Sequence, residues 1–148
     1  MMDGIKRGNL NMANISQLLC ESIDAKPMRE DLDNWYLCMR SIGNKQYVPL
    51  QYKPRFLDYQ AEYFKEVYSD YKDISMVLYR GGKPSGIWPV CIYRKDDKLI
   101  FGTAGTALME PLLPMLPKAE AQRSVIEKCL TSLFNVLERQ GGGYFTVR

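Results

Sequence analysis

Histidine is absent from all 148 residues of this chain. Its absence excludes Ser-His-Asp and Cys-His nucleophile systems, and every zinc site that needs an imidazole. Cysteine is scarce and scattered. Cys20, Cys38, Cys91 and Cys129 form no C-x-x-C pair, so an all-cysteine metal site at finger spacing is excluded too. Cys91 and Cys129 sit in apolar runs and read as buried free thiols. No apolar run approaches the ~18–20 residues of a membrane span, and the N-terminus lacks a continuous apolar h-region. The expected compartment is a reducing cytoplasm. An excess of charge of one sign is also missing: 20 basic residues face 17 acidic ones, for a net charge of +3. Lys45, Lys53, Arg55, Arg80, Lys83, Arg94, Lys95 and Lys98 give a local basic bias that reads as solubilising turns and sheet rims. Without a dense basic stripe interleaved with aromatics, DNA binding is not evident.

What is present is the composition of a globular domain: 46% hydrophobic, 25% charged, with ten tyrosines. The length suits one domain, which would bury roughly 70% of the surface its unfolded chain exposes. No internal repeat or low-complexity linker divides it.

The N-terminal part reads as a tail over the first dozen residues and then two short helices. Ile15 to Ile23 follows Asn14 as an N-cap and ends by Pro27. Arg29 to Ile42 places Leu32, Trp35, Tyr36, Met39 and Ile42 at helical spacing, with Gly43 as its stop. Residues 46–52 read as a short strand whose Pro49 implies an edge or bulge. Pro54 then opens a helix, and Phe56, Tyr59, Tyr63 and Val67 line one face of it, expected to pack on the sheet.

Residues 74–80, 86–94 and 98–103 read as a three-stranded antiparallel meander, turning at Gly81-Gly82 and Asp96-Asp97. Pro89 interrupts the middle run and implies a bulge or a missing ladder bond. Residues 102–117 form a small-residue and proline-rich loop. Its apolar members must lie over the core or against a partner. A P-loop is not among the readings, because no Gly-Lys-Ser/Thr follows Gly102. Residues 118–139 carry a broad apolar face from Val125 to Leu137 and end at Gly141-Gly142-Gly143. YFTVR at 144–148 alternates like the start of a strand.

Three stretches carry a family resemblance. They are Tyr59-Gln60-x-x-Tyr63-Phe64, the hairpin from Val77-Leu78-Tyr79-Arg80-Gly81-Gly82-Lys83-Pro84 to Ser85-Gly86-Ile87-Trp88-Pro89-Val90, and the leucine-rich helix 125–137. Over residues 46–148 the chain resembles the N-terminal part of an acyltransferase of the GNAT superfamily. The Q/R-x-x-G-x-G/A loop of acetyl-CoA members is absent between Phe101 and Ala121, and the FemAB-like branch is the nearer resemblance. The resemblance implies an α+β fold: a mixed, largely antiparallel sheet with packed helices, incomplete at its C-terminus. It divides the chain into an N-terminal segment, 1–45, and the domain part, 46–148.

It also implies transfer of an acyl or aminoacyl group, from acyl-CoA or aminoacyl-tRNA, to an amine of a cell-envelope or glycan precursor. That chemistry needs a base for the amine and donors for the oxyanion. The residues that would supply it are Glu110 as the base and Trp88, Tyr93, Thr103 and Thr106 around the substrate. No resident cofactor is evident. Because the family fold continues beyond residue 148, a fragment inactive alone, a missing C-terminal half or a homodimer is expected. The alternative is a non-catalytic interaction or dimerisation module that uses an open sheet edge and the apolar loop 108–116.

Overall fold

Two kinds of pattern organise the chain: short β-branched and aromatic runs broken by turns over residues 72–102, and helical spacing before and after them. The computed structural model describes residues 12–68, 70–95, 98–102, 113–117 and 122–139. Helix α1 (Met12–Ile23) leads into strand β1 (Ala25–Pro27) and a 3-10 turn at Met28–Glu30. Helices α2 (Leu32–Gly43) and α3 (Pro54–Val67) follow. Strands β2 (Lys72–Asp73), β3 (Met76–Arg80), β4 (Lys83–Trp88), β5 (Cys91–Lys95) and β6 (Lys98–Gly102) come next, then helix α4 (Gln122–Arg139). The protein is a mixed α+β fold.

The strands form two antiparallel sheets of three, ordered β1-β3-β4 and β2-β5-β6. The two are halves of one bent ribbon. Asp73 pairs with Cys91 on one side of the break and Met76 with Trp88 on the other, with two residues between them on each strand. The register therefore passes through the break unchanged. At the break the Val90 N–H bonds to the Ser75 hydroxyl oxygen at 3.1 Å, while the Ile74 N–H reaches the Val90 carbonyl at 2.8 Å. The Ser75 carbonyl faces β1 and accepts the Met28 N–H at 2.8 Å. The expected middle strand is thus two strands, divided at Pro89. The turn at Gly81-Gly82 is as expected: both glycines have positive φ, +59° and +77°, the left-handed conformation a two-residue hairpin needs.

Alternation sends the strands' side chains to two helical layers. Met76, Leu78, Trp88, Val90 and Ile92 meet Ile15, Leu19 and Ile23 of α1 and Cys129, Leu133 and Val136 of α4. On the opposite face Val77 and Ile87 meet Trp35, Cys38 and Ile42 of α2 and Leu57 of α3. Burying each large aliphatic or aromatic side chain contributes about 1.5–3 kcal/mol. The helices of the N-terminal segment contribute to both layers.

Several local expectations are corrected. Residues 46–52 are not a strand: an irregular stretch leads to a 3-10 turn at Leu50–Tyr52. Pro49 precedes that turn, and the Tyr52 carbonyl is held by the buried Trp35 indole N–H at 2.9 Å. Asn14 lies inside α1, because the helix includes Met12 and Ala13 ahead of it. The second helix starts at Leu32 after the separate 3-10 turn.

Helix α3 buries a different face from the one its aromatic stripe suggested. Leu57 and Gln60 point inward, whereas Tyr59, Tyr63 and Val67 are 67%, 56% and 54% exposed. Among the described residues, neither polar atom of the Gln60 side chain has a hydrogen-bond partner.

The end of the apolar loop is seated on its own sheet. Met115 exchanges two backbone hydrogen bonds with Ile87, each 2.9 Å, and Leu116 is buried. Tyr52 donates its hydroxyl to the Leu113 carbonyl at 2.7 Å. Gly86 permits this approach: a Cβ there would stand 2.7 Å from the Met115 carbonyl oxygen. Residues 103–112, the Asp96-Asp97 turn and the strand expected at 144–148 lie outside the described residues.

Candidate functional site

A hollow of about 720 Å³ opens between α1, the 3-10 turn and the free edge of β2. Its position follows from the apolar stripe of α1. With Ile15, Leu19 and Ile23 in the core, Ser16, Cys20 and Glu21 fall on the wall of the cleft. Asp24 ends that helix at φ +67°, a left-handed position aspartate tolerates, and its carbonyl accepts the Tyr79 N–H at 2.9 Å. Met28 is buried, and its N–H ties the 3-10 turn to Ser75. Arg29 and Glu30 are thereby turned outward.

Asp73 forms the floor. Its side chain is 4% exposed, against 51% for its partner Arg29. One carboxylate oxygen accepts the Ser75 N–H at 2.9 Å and the Ser75 hydroxyl at 2.5 Å. The other accepts from Arg29 Nη2 at 3.3 Å, while Arg29 Nη1 reaches Asp58 of α3 at 2.6 Å. Burial pushes the Asp73 carboxyl above its usual range. The Ser75 bonds and the Arg29 charge pull against that shift, and Asp58 adds to it.

Cys20, on the wall, is pushed up to about 11 by burial and then by the charges of Glu30 and Glu21. It is a thiol at neutral pH, not a thiolate nucleophile. The lining carries the carboxylates Glu21, Asp24, Glu30 and Asp73 against the cations Arg29 and Lys72, and Arg29 is already engaged by two carboxylates. Such a hollow attracts a cation such as an ammonium group. Among the described residues, no three of Cys, Asp and Glu are grouped to hold a metal ion, and no helix is long and apolar enough to cross a membrane.

The residues expected from the sequence lie elsewhere. Trp88 is buried between the sheet and the α1/α4 layer. Tyr93 is buried on the opposite face, stacked on Tyr68 at 4.4 Å between ring centroids and flanked by Tyr71. The structure does not bring the two together. Thr103, Thr106 and Glu110 lie outside the described residues. Sequence reasoning passed over Arg29, Glu30 and Asp73. Their only local signal is the Asp73-Ile74-Ser75 spacing, which lets an aspartate cap the N–H two residues on.

No protein family, curated protein or solved structure matches the chain.

Proposed function

We propose that this chain is an acyltransferase-like domain of the GNAT superfamily, on its FemAB-like side, and that the cleft over Asp73 receives the amine of the acceptor. The observation that carries the reading is the carboxylate lining of the hollow. Glu21 and Glu30 would hold the substrate's ammonium at the rim. Asp73, whose hold on a proton is strengthened by burial, would take one proton from that ammonium and so free the nitrogen lone pair. The amine nitrogen then bonds to the acyl carbon. The bond to the donor's sulfur or ribose oxygen breaks, and a second N–H proton passes to that atom, so the donor leaves as a thiol or an alcohol. Acyl-CoA or aminoacyl-tRNA would be the donor, and an amine-bearing cell-envelope or glycan precursor the acceptor. Four buried free thiols suit a reducing cytoplasm for this work.

The test begins with calorimetric titration of the chain with glucosamine and putrescine. Saturable binding is expected, weakened about tenfold when Glu21→Gln and Glu30→Gln are combined. Transfer from acetyl-CoA or aminoacyl-tRNA to the bound amine should fall about a hundredfold or more in Asp73→Asn. That variant keeps an oxygen acceptor for Ser75, so its fold is expected to survive. Absence of binding, or transfer unchanged in Asp73→Asn, would overturn the reading.

A further inference from the structure

Helix α3 carries on its outer side a stripe that its own chain leaves uncovered. Tyr59, Tyr63 and Val67 follow one another at four-residue spacing, so they stand one above the next on a single face. Their exposures, 67%, 56% and 54%, mark a contiguous patch of large side chains, not a single stray residue. One flank of the stripe is charged in a particular order. Arg55 stands at its N-terminal end and Glu66 at its C-terminal end, both exposed, with Glu62 between them. Arg55 and Glu66 are separated by about three helical turns, roughly 16 Å along the axis. Among the described residues, no ion pair within the chain engages Arg55, Glu62 or Glu66.

A positive group at one end of an apolar stripe and a negative group at the other is a self-complementary pattern. When two such helices lie antiparallel about a two-fold axis near Ala61, Tyr59 of each copy comes opposite Tyr63 of the other. Like flanks then face each other, so each Arg55 comes opposite the other copy's Glu66. A parallel two-fold pair would carry the charged flanks to opposite sides of the seam, where Arg55 and Glu66 do not meet. A closed two-fold contact of this kind is the commonest symmetry among soluble oligomers.

We propose that the outer face of α3 binds a second copy of this chain, antiparallel, through a Tyr59–Tyr63–Val67 seam closed at each end by an Arg55–Glu66 ion pair. The tyrosines are the anchors: large, rigid side chains of the type that dominates interface energetics. The acidic cleft is lined by residues of other elements.

The test is sedimentation equilibrium on the whole chain over a concentration series. A monomer–dimer equilibrium is expected. Tyr59→Ala or Tyr63→Ala should raise the dissociation constant about tenfold or more. Arg55→Glu alone should weaken the dimer by placing two carboxylates at each end. Arg55→Glu combined with Glu66→Arg should restore it, because the pairs are re-formed with reversed polarity. All of these positions are exposed, so an unchanged circular dichroism spectrum and unfolding midpoint are expected to accompany each change. A chain that stays monomeric throughout the series would overturn the proposal. So would a dimer indifferent to Tyr59→Ala, or a charge-swapped double variant as weak as Arg55→Glu.

Discussion

Ser75 stands opposite Pro89 at the bend of the long ribbon, and its hydroxyl bonds to residues on both sides of the break. Ser75 Oγ accepts the Val90 N–H at 3.1 Å and donates to Asp73 at 2.5 Å, while Ile74 N–H reaches the Val90 carbonyl at 2.8 Å. One side chain therefore joins the two halves of the sheet and fixes the floor of the cleft.

Removing that hydroxyl leaves a buried Val90 N–H and takes one donor from Asp73. Ser75→Ala is expected to destabilise the fold by about 1–3 kcal/mol, the cost of orphaning a buried polar group. Equilibrium urea denaturation measures it. A loss of only a few tenths would mean that the ribbon is joined by its ladder bonds alone.

Gly86→Ala tests the seating of residues 113–117. The added Cβ would approach the Met115 carbonyl oxygen to 2.7 Å and a Leu116 side-chain carbon to 3.0 Å, closer than either can stay. The expected result is a loss of about 1–3 kcal/mol, in the range of overpacking. Faster hydrogen exchange at the Ile87 and Met115 amides should accompany it. Unchanged exchange at both amides would count against the contact.

Gln60 predicts a change of the opposite sign. Both of its polar side-chain atoms are buried without a partner among the described residues. Gln60→Leu removes them at similar volume, and the chain should gain about 1 kcal/mol. A loss of stability on urea denaturation would show that the amide is satisfied in solution.

Ionisation gives two further outcomes. Burial raises Cys20 and Cys38 to about 11 and Cys129 to about 12, above the 9.0 of an unfolded thiol. The unfolded chain therefore releases these protons first, and stability should fall as pH rises from 9.0 through about 11 to 12. In the native state near neutral pH these thiols should react slowly with iodoacetamide, and quickly once the chain is unfolded. Asp73 acts in the same direction at low pH. Its folded pKa is raised, so its contribution declines as pH climbs from 3.8 through the folded value, and Asp73→Asn should flatten that part of the stability profile. Unfolding midpoints measured across pH check both.

Much of the local structure was legible from side-chain type and spacing. Residues 74–102 show short β-branched and aromatic runs broken by a glycine turn, and they run apolar without alternating because both faces are buried. Helix α4 shows its apolar face openly, and Pro89 marks the point where the middle run divides. These features belonged to the sequence alone, for each depends on residues within a few positions of one another.

The tertiary structure decided which faces meet and what gathers between them. On α3 two apolar arcs lie side by side, one through Phe56, Tyr59, Tyr63 and Val67, the other through Leu57, Ala61 and Phe64. Period cannot say which one the sheet will cover. Packing buried Leu57 beside Val77 and Ile87, set Phe64 in the cluster of Tyr68, Tyr71 and Tyr93, and left Tyr59, Tyr63 and Val67 in solvent. The cleft is likewise a product of distance in sequence. Glu21 and Glu30 come from the N-terminal segment and Asp73 from a strand more than forty residues later, and only the pairing of β1 with β3 and the Met28–Ser75 bond set them around one hollow. A carboxylate's burial, and with it its proton affinity, is a property of the neighbours that remove water from it, and those neighbours exist only once the chain has folded.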